Sequence, residues 1–584
     1  MTSQSPSEPT TTRLRRATSS AAFEGWAAWV LGAALILVLA WPMLFTRSGM
    51  AQDWTGHLWE LWQQSLNLRR EPVPGYFISA QDTVFMPLFS FYGGTLLSIG
   101  GALAILLGGA TRAYVAIYLL AFTAAFGGWY WLSRSLGAAR WLALVPGTVF
   151  VTSSYHLTLV YARGGFNEFV GVSMIPVILA AGLSVLRADR LRPLPALALA
   201  GATLLFFGSH NITMLWGSTV IAVLVFALAL AIPQARGITT RGGLARLALV
   251  IVPAVLVNAW YLVPAVSWGG DTWVSTGNGL GTASSLYETQ GLVAMEHIFT
   301  FSRASATSGS PGFAMALPVA AILWVLGAGA LALRGRMGPA PMRRALVVVA
   351  GLTVAVGVLM TRPRLVLALP HPWELVQFTY RLESYVVLGI AGAVMVLVIL
   401  LRERSGAASV ARWALVPVVA ISVIGGVVQV IDQPDVEPDR RAVFVPGSDL
   451  AGSQLVEQRL TYSDVTLPQI DATDLPTVSF DPDAAHHGRA AASLQVVPGE
   501  RRVLSNIAAN PRLVRLDGAT PVGRTGAGFM VLELPRDAIG GEHTITVRSV
   551  DPAPVVAGRV LSIAGIVGLV LLCGIGLTLS RSAR

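Results

Sequence analysis

Residues 169–192 read FVGVSMIPVILAAGLSVLRADRLR, an apolar run that ends in a cluster of three arginines. The same alternation recurs along the chain. The arginine clusters fall within 13–16, 134–140, 187–192, 236–246, 334–344, 402–412 and 581–584. Short loops rich in Lys and Arg stay on the cytoplasmic side of a membrane. The clusters therefore predict that alternate loops lie on one side, and that the other loops, which hold most of the polar residues, lie opposite.

Composition supports a membrane protein. Hydrophobic residues make up 54% of the chain, charged residues 12%, and the mean hydropathy is +0.63, values typical of a polytopic membrane protein. The cytoplasmic arginines account for the formal charge of +10, so the basic charge does not indicate nucleic acid. All 41 basic residues are arginine, which points to a GC-rich, actinobacterium-like source. Cys573 is the single cysteine, which excludes disulfides within the chain and cysteine metal sites.

The predicted fold is mainly α, with about twelve transmembrane helices and a C-terminal extracytoplasmic β-sandwich. A span needs about 20 apolar residues. The runs that satisfy this are 25–46, 113–133, 141–160, 169–186, 193–209, 212–233, 246–266, 312–333, 345–361, 383–401, 412–431 and 556–579. If one more apolar run, 93–109, also crossed the membrane, every later arginine cluster would lie on the opposite side. The run 93–109 is interpreted as a re-entrant helix, an interfacial helix, or half of a broken pair with 113–133.

The predicted spans divide the chain into four segments. Residues 1–24 are predicted to be a disordered cytoplasmic tail, and 25–431 a transmembrane domain with a long external loop at 47–92. Residues 432–555 are rich in Pro and Asp and contain short alternating stretches such as 529–534 and 543–548, a pattern typical of a β-sandwich. Residues 556–584 are the last span and a short cytoplasmic tail.

The long external loop opens with a candidate catalytic group. Asp53, His57 and Glu60 fall on one face of an aromatic helix that we expect to lie in the membrane interface. A carboxylate at position 53 has the chemistry of a general base towards a hydroxyl. The structural alternative, compatible with the first, is that Asp53 caps the helix that follows.

Two further external turns carry polar residues. Arg163 and Glu168 flank a Gly-Gly turn, and a fixed guanidinium can grip a phosphate; the alternative is an ion pair that closes the turn. His210 and Asn211 interrupt apolar sequence at a helical hairpin. They are candidates for contacting sugar or phosphate, or they only satisfy the hairpin turn.

Gln377 and Arg381 lie where the last external loop returns to the membrane. Arg381 stands at the head of an apolar helix, where it could neutralise a phosphate or extend towards the headgroups. The chain has no lysine and hence no GxxxxGK[ST] nucleotide loop. The His486-His487 pair lacks the spacing of a zinc site.

Together these positions resemble the GT-C superfamily of membrane glycosyltransferases, and most of all the bacterial membrane proteins labelled 6-pyruvoyl-tetrahydropterin synthase-related. The resemblance covers nearly the whole chain after residue 25. Its motifs are Asp53…His57, Tyr161…Arg163…Glu168, Ser209-His210-Asn211, Gln377-Phe-Thr-Tyr-Arg381 and Asn510…Leu516-Asp-Gly518…Gly528…His543. Relatives commonly read Gln-Phe-Pro-Trp-Arg at the fourth motif, so Thr379 and Tyr380 depart from the pattern.

The resemblance implies transfer of a sugar from a polyprenyl-phosphate donor to a cell-envelope glycan or lipid acceptor, on the extracytoplasmic face of the plasma membrane, with inversion. It implies that Asp53, His57 and Glu168 are catalytic and that Arg163, His210, Asn211, Gln377 and Arg381 bind the donor. No cofactor is firmly implied, and a Mg²⁺ or Mn²⁺ ion stays open. The alternatives are a transporter or flippase of a lipid-linked glycan and a non-catalytic envelope scaffold.

Overall fold

The computed structural model describes a mainly helical chain with a β-rich region near its C-terminus. The described residues are 26–46, 53–80, 83–232, 240–273, 303–304, 313–314, 316–376, 378–402, 405–431, 459, 462–538 and 540–581. The predicted tail 1–24 and most of the stretch 432–461 lie outside them.

The described helices follow the apolar runs. They are α1 (Trp26–Leu39), α2 (Trp54–Arg70), α3 (Gly94–Leu107), α4 (Ala110–Ser135), α5 (Leu144–Val151), α6 (Ser154–Tyr161), α7 (Phe166–Arg187), α8 (Pro193–Phe207), α9 (Asn211–Ala231), α10 (Arg241–Leu256), α11 (Ala259–Trp268), α12 (Val319–Leu333), α13 (Ala340–Thr361), α14 (Pro363–Leu367), α15 (Glu383–Leu400), α16 (Gly406–Ile431), α17 (Pro482–His486) and α18 (Ala553–Arg581). A 3₁₀ turn, Thr379–Leu382, leads directly into α15.

Within the described ranges, seven helices are long and apolar enough to cross a membrane. They are Ala110–Ser135, Phe166–Arg187, Asn211–Ala231, Ala340–Thr361, Thr379–Leu400, Gly406–Ile431 and Ala553–Gly574. An eighth candidate is a pair of shorter helices, and α1, α3, α8 and α12 are apolar but shorter than a span. The expected total of twelve spans is therefore not confirmed.

The eighth candidate is a helix broken by 70° between α10 and α11. Pro253 lies inside α10 and cannot donate a backbone hydrogen bond, which favours a bend. Asn258 follows the break and donates to the carbonyl oxygens of Ala254 at 3.1 Å and Leu204 at 3.2 Å. The exposed backbone of the break is thus satisfied inside the protein, as a low-dielectric surrounding requires.

The run 141–160 was expected to be one continuous span and is instead two eight-residue helices, α5 and α6. Ser153 takes an extended conformation between them, and the Thr152 hydroxyl donates to the Thr148 carbonyl at 2.7 Å. Such side-chain hydrogen bonds compete with helix continuation. The run 93–109 forms α3, of 14 residues, which ends at Gly108 and Gly109; both glycines have positive φ, and α4 begins at the next residue.

Helix α2 packs into the protein along most of its length. Leu58, Trp59 and Leu61 are buried, and the helix lies against α3. Glycines permit this approach, because a Cβ at Gly101 would lie 2.8 Å from the Cβ of Gln64. The aromatic helix that the sequence placed in the membrane interface is therefore largely a core element.

Within the described residues, the β region consists of two sheets. Its strands are β1 (Ile78–Ala80), β2 (Thr83–Met86), β5 (Thr477–Val478), β6 (Arg489–Gln495), β7 (Arg502–Ala508), β8 (Val514–Asp517), β9 (Thr520–Arg524), β10 (Phe529–Glu533) and β11 (Glu542–Ser549), with the two-residue β3 (Arg303–Ala304) and β4 (Phe313–Ala314) apart from them. One sheet has the order β1-β2-β7-β10-β9, with β5 also on β7, and the other has the order β6-β11-β8. Side chains from both sheets, among them Met530 and Ile545, form one buried core. The two strands expected near 529–534 and 543–548 are present as β10 and β11.

The first loop contributes a strand to this β region. Strand β2 pairs in parallel with β7, with Val84 opposite Ile507, and Phe85 joins the β core. Tyr462, at the start of the β region, stacks on Phe91 with ring centroids 5.4 Å apart. The β region thereby packs directly against the loop that precedes α3.

Adjacent glycines in α4 provide a test of the helix packing. A Cβ at Gly128 would lie 2.7 Å from the backbone nitrogen of Val177 in α7, whereas a Cβ at Gly127 would meet nothing within 4 Å. We expect Gly128→Ala to lower the free energy of unfolding by about 1–3 kcal/mol, as overpacking does. Gly127→Ala should leave it unchanged or raise it by up to about 1 kcal/mol.

Thermal unfolding of both variants in the same detergent measures the difference. Equal melting temperatures for the two variants would show that α4 and α7 do not pack as described.

Candidate active site

Four helices begin at one place in the structure. Helices α2, α7, α9 and α15 start at residues 54, 166, 211 and 383, and contacts at or near these starts join the helices in pairs. The backbone N–H of Asp53 donates to the Arg163 carbonyl at 3.0 Å, and the Tyr385 hydroxyl donates to the Thr213 carbonyl at 3.0 Å. Helix N-termini carry partial positive charge and unpaired N–H groups, so this is a favourable place for an anion.

Glu168 lies between two arginines at this place. Its Oε2 is 2.5 Å from Arg163 Nη1 and 3.7 Å from Arg381 Nε. Its Oε1 accepts a hydrogen bond from the Tyr155 hydroxyl at 2.9 Å. All four side chains are buried. The ion pair that the sequence offered as an alternative for Arg163 and Glu168 is therefore present, and it also includes Arg381.

Arg381 is the unsatisfied member of this cluster. Its side chain is only 10% exposed, yet among the described residues its Nε has no hydrogen-bond partner. The guanidinium lies 5.5 Å from the centroid of the Phe378 ring, and that ring stacks on Tyr380, over which Arg163 lies. The Arg381 side chain is therefore held inside the protein. A buried N–H group without an acceptor is costly unless a ligand supplies one.

Asp53 lies at the open edge of the cluster. Its side chain is 50% exposed, and its Oδ2 is 4.0 Å from Arg163 Nε. Its carboxylate makes no capping hydrogen bond to α2, so the capping alternative is wrong. The carboxylate is thus held near a guanidinium while it stays open to an incoming molecule.

His57 and Glu60 form a buried pair one turn further along α2. Nδ1 of His57 is 2.8 Å from Oε2 of Glu60, and the imidazole stacks on Tyr92 with ring centroids 6.4 Å apart. Burial lowers the pKa of His57, but the Glu60 carboxylate and, more weakly, Asp53 outweigh burial, so the pKa is raised above its ordinary value. Glu60 therefore favours a positively charged imidazole beside the two arginines.

His210 and Asn211 are engaged in their own turn. His210 Nδ1 accepts from the Thr213 N–H at 3.2 Å and caps α9, and Asn211 Nδ2 donates to the Phe91 carbonyl at 2.6 Å. Burial and the nearby Arg381 and Arg163 lower the pKa of His210 well below its ordinary value, so it is neutral. These bonds fit the hairpin alternative, while the edge of Tyr92 still brings His210 to the cluster, with ring centroids 5.6 Å apart.

Two other predicted positions, Gln377 and His156, do not contribute to the described cluster. Gln377 lies outside the described residues. His156 packs among Phe122, Phe150 and Phe169, which is a core position.

Sequence analysis missed Tyr92 and Tyr155 as parts of the site. Both are buried aromatic residues in largely apolar surroundings, and from the sequence alone they resemble core residues. The only signal was their position beside other polar residues, close to turns.

The described carboxylates do not fit a divalent cation. Glu168 uses both oxygens for Tyr155 and Arg163, and Glu60 is bonded to His57. Asp53 is then the one acid of the cluster left open, whereas Mg²⁺ requires several oxygen ligands. No three His, Cys, Asp or Glu side chains within the described ranges converge on a point.

Comparisons with known proteins give distant likenesses. No family model and no curated protein sequence matches the chain. Among solved structures, the apo oligosaccharyltransferase of Archaeoglobus fulgidus is 12% identical over 79% of this chain and 63% of its own, with a TM-score of 0.45. The chain thus spans less than two thirds of that enzyme's length. The same enzyme also has a structure in complex with Zn and sulfate.

Two other solved structures also show a distant similarity. Arabinofuranosyltransferase AftD from Mycobacteria is 14% identical over 87% of this chain and 40% of its own, with a TM-score of 0.44. ArnT from Cupriavidus metallidurans, bound to undecaprenyl phosphate, is 10% identical over 88% of this chain and 99% of its own, with a TM-score of 0.30. All three are GT-C glycosyltransferases. Since every TM-score is below 0.5, the functional assignment depends on the geometry of the site.

The His57–Glu60 pair predicts a pH dependence of stability. Because the pKa of His57 is raised on folding, the pair stabilises the protein fully below the ordinary histidine pKa, and this contribution is lost as pH rises through the raised value. Melting temperatures at about pH 6 and about pH 8 should therefore show a loss at the higher pH. In Glu60→Gln and in His57→Gln this loss should be smaller.

Glu374→Gln is the matched control. His371 and Glu374 form the same i,i+3 contact at 2.9 Å, but the His371 side chain is 69% exposed. The control should keep the pH dependence of the unaltered protein. If Glu60→Gln keeps it as well, Glu60 does not hold the charge on His57.

Proposed function

We propose that the chain is an integral-membrane glycosyltransferase that moves a sugar from a polyprenyl-phosphate donor to a hydroxyl of a cell-envelope glycan or lipid. The observation that supports this most strongly is the buried, unsatisfied Arg381 beside Arg163, close to a half-exposed carboxylate at Asp53. The two arginines suit the anionic leaving group, and the Asp53 carboxylate suits the proton that the acceptor hydroxyl loses.

The charges of the arginine cluster are balanced in number, but one hydrogen bond is missing. Glu168 lies between Arg163 and Arg381, and Asp53 lies 4.0 Å from Arg163, yet among the described residues Nε of Arg381 has no hydrogen-bond partner. The N-termini of α7, α9 and α15 add partial positive charge. A phosphate placed here would supply the acceptor atoms that Arg381 lacks. Hydrogen bonds to charged groups contribute about 1.5–3 kcal/mol each, so such a ligand would be bound firmly.

Asp53 suits the role of general base. In the proposed step, an acceptor oxygen forms a bond to the anomeric carbon while the bond from that carbon to the phosphate oxygen breaks. The acceptor proton passes to Asp53, and the phosphate leaves with the negative charge that Arg163 and Arg381 stabilise. A single displacement of this kind inverts the anomeric centre.

Glu168 acts through the arginines in this proposal. The sequence predicted it as a catalytic group, but both of its oxygens already accept hydrogen bonds. We therefore assign it as a positioning residue that fixes the two guanidinium groups. His57 adds positive charge at the same place, and His210, Asn211 and Gln377 are proposed to line the donor site.

The arginine clusters support a site on the extracytoplasmic face. Helices α7 and α9 begin at the site and end near Arg187 and Ala231, just before the arginine-rich loops that should stay cytoplasmic. The membrane is proposed to be the plasma membrane, with both termini cytoplasmic. The β region, which reaches the site through Tyr462 on Phe91, is proposed to lie on the same side as the site.

The broken helix α10–α11 is the one observation that favours a transporter or flippase, since interrupted helices often line transport sites. The ion pairs of the site lie instead at helix starts and include an accessible acid. A non-catalytic scaffold has no need of a buried arginine whose Nε lacks a hydrogen-bond partner among the described residues.

Two substitutions separate these functions. Asp53→Asn should keep binding of polyprenyl phosphate but lower sugar transfer by about 10²–10⁴-fold, the usual contribution of a general base. Arg381→Gln should weaken binding of polyprenyl phosphate by about tenfold or more, because it removes a charge-assisted contact. Binding is measured on the purified protein, and transfer by the envelope glycans of a deletion strain that carries each variant.

Asp189→Asn and Arg362→Gln are the matched controls, since both residues are exposed at helix ends, and both variants should behave as the unaltered protein. Normal glycans in the Asp53→Asn strain would contradict the enzyme, and a changed distribution of lipid-linked glycan across the membrane would then favour the flippase.

A further inference from the structure

A second basic site lies at the other end of the helical region. A cavity of about 650 Å³ opens between the end of α9, the end of α12 and the start of α13. Its lining includes Arg334, Arg343 and Arg344 together with the apolar Leu333, Val347 and Val348. The cavity is widely open to its surroundings, and its lining combines apolar side chains with three arginines.

The cavity lies a membrane's thickness away from the candidate active site. Helix α9 starts with Asn211 at the active site and ends with Ala231 at the cavity, and its 21 residues span about 30 Å. That length matches the hydrocarbon core of a bilayer. Helix α15, which also begins at the active site, ends at Leu400, and Leu400 lies against Gly338 in the loop that borders the cavity.

The arginines of the cavity differ from other arginines at this end of the protein. Arg134, Arg187 and Arg246 donate to the carbonyl groups of Ala138, Ser135 and Asp189, so they satisfy backbone groups near helix ends. Arg344 likewise donates a hydrogen bond to the Ala231 carbonyl, at 3.3 Å. By contrast, the side chains of Arg334 and Arg343 make no hydrogen bond or ion pair with any other described residue.

The free charges and the apolar wall fit a molecule with one anionic and one apolar part. No described carboxylate lines the cavity, and the start of α13 adds the positive end of a helix dipole. Val347 follows the arginines one turn deeper into the membrane and is exposed. Basic pockets between transmembrane helices bind anionic lipid headgroups in this way.

We propose that this cavity binds an anionic phospholipid of the leaflet opposite the active site, with Arg334 and Arg343 on the headgroup phosphate and Val347 and Val348 along an acyl chain. The proposal does not depend on the sugar-transfer function, since it concerns other residues at the other membrane surface. A bound lipid would join α9, α12 and α13 at the ends of their helices and so stabilise the folded protein.

Purified full-length protein, titrated with phosphatidylglycerol or phosphatidylcholine and observed by native mass spectrometry, tests the proposal. The unaltered protein should retain one phosphatidylglycerol in preference to phosphatidylcholine and melt at a higher temperature when it is bound. The double variant R334Q/R343Q should bind phosphatidylglycerol about tenfold more weakly or worse, since each basic group near an anionic headgroup contributes strongly.

The double variant R190Q/R192Q is the matched control. It removes the same charge from exposed residues in the loop after α7, away from the cavity, and should bind phosphatidylglycerol normally. Ala340→Glu is a second test, because a carboxylate is tolerated at the first position of a helix and would repel the headgroup from within the cavity. It should weaken phosphatidylglycerol binding while the protein stays folded.

Three results would overturn the proposal. An equal loss of phosphatidylglycerol binding in R334Q/R343Q and R190Q/R192Q would mean that the lipid binds only through the general positive charge of the protein. Unchanged binding in R334Q/R343Q and Ala340→Glu would place the lipid elsewhere. Full competition by inorganic phosphate would show a phosphate site without a role for the acyl chain.

Discussion

A single carboxylate between two buried guanidinium groups organises the candidate active site. Glu168 receives hydrogen bonds from Arg163 and Tyr155 and lies 3.7 Å from Arg381. Burial of these charges is costly unless each is paired, and Glu168 can satisfy only part of the demand. Among the described residues, Nε of Arg381 is left without a hydrogen-bond acceptor, at the place where four helices begin and where Asp53 is open to solvent. The chemistry proposed for this chain follows from that imbalance.

The same imbalance explains why the site needs the helical fold around it. Arg163 belongs to the turn before α7, Glu168 to the first turn of α7, and Arg381 to the 3₁₀ turn before α15. Close packing at glycines keeps these helix starts together; a Cβ at Gly171 would lie 2.7 Å from the Ser209 hydroxyl oxygen. Each charged group is thus fixed by a helix start, while the membrane-spanning part of each helix stays apolar.

The sequence predicted the membrane character, the two-part architecture and the residues that meet at the site, because hydropathy and the sidedness of arginine are local properties. Asp53, His57, Arg163, Glu168, His210 and Arg381 were all singled out, and the structure brings them to one region. The break between α5 and α6 was missed because the run 141–160 is uniformly apolar, and only the conformation of Ser153 divides it. Strand β2 was missed because its partner lies more than four hundred residues away along the chain. The roles of Tyr92 and Tyr155 depend on contacts that no local pattern encodes.

The central claim is that Arg381 and Arg163 hold the phosphate of a lipid-linked donor within reach of Asp53. A cryo-electron microscopy structure of the protein in a lipid nanodisc with a polyprenyl phosphate tests it most directly. The account predicts phosphate oxygens at hydrogen-bond distance, about 2.7–3.2 Å, from both guanidinium groups, with the prenyl chain leaving into the bilayer. A phosphate bound away from these two arginines, or an Arg381 that makes no contact with the phosphate in the occupied structure, would contradict it.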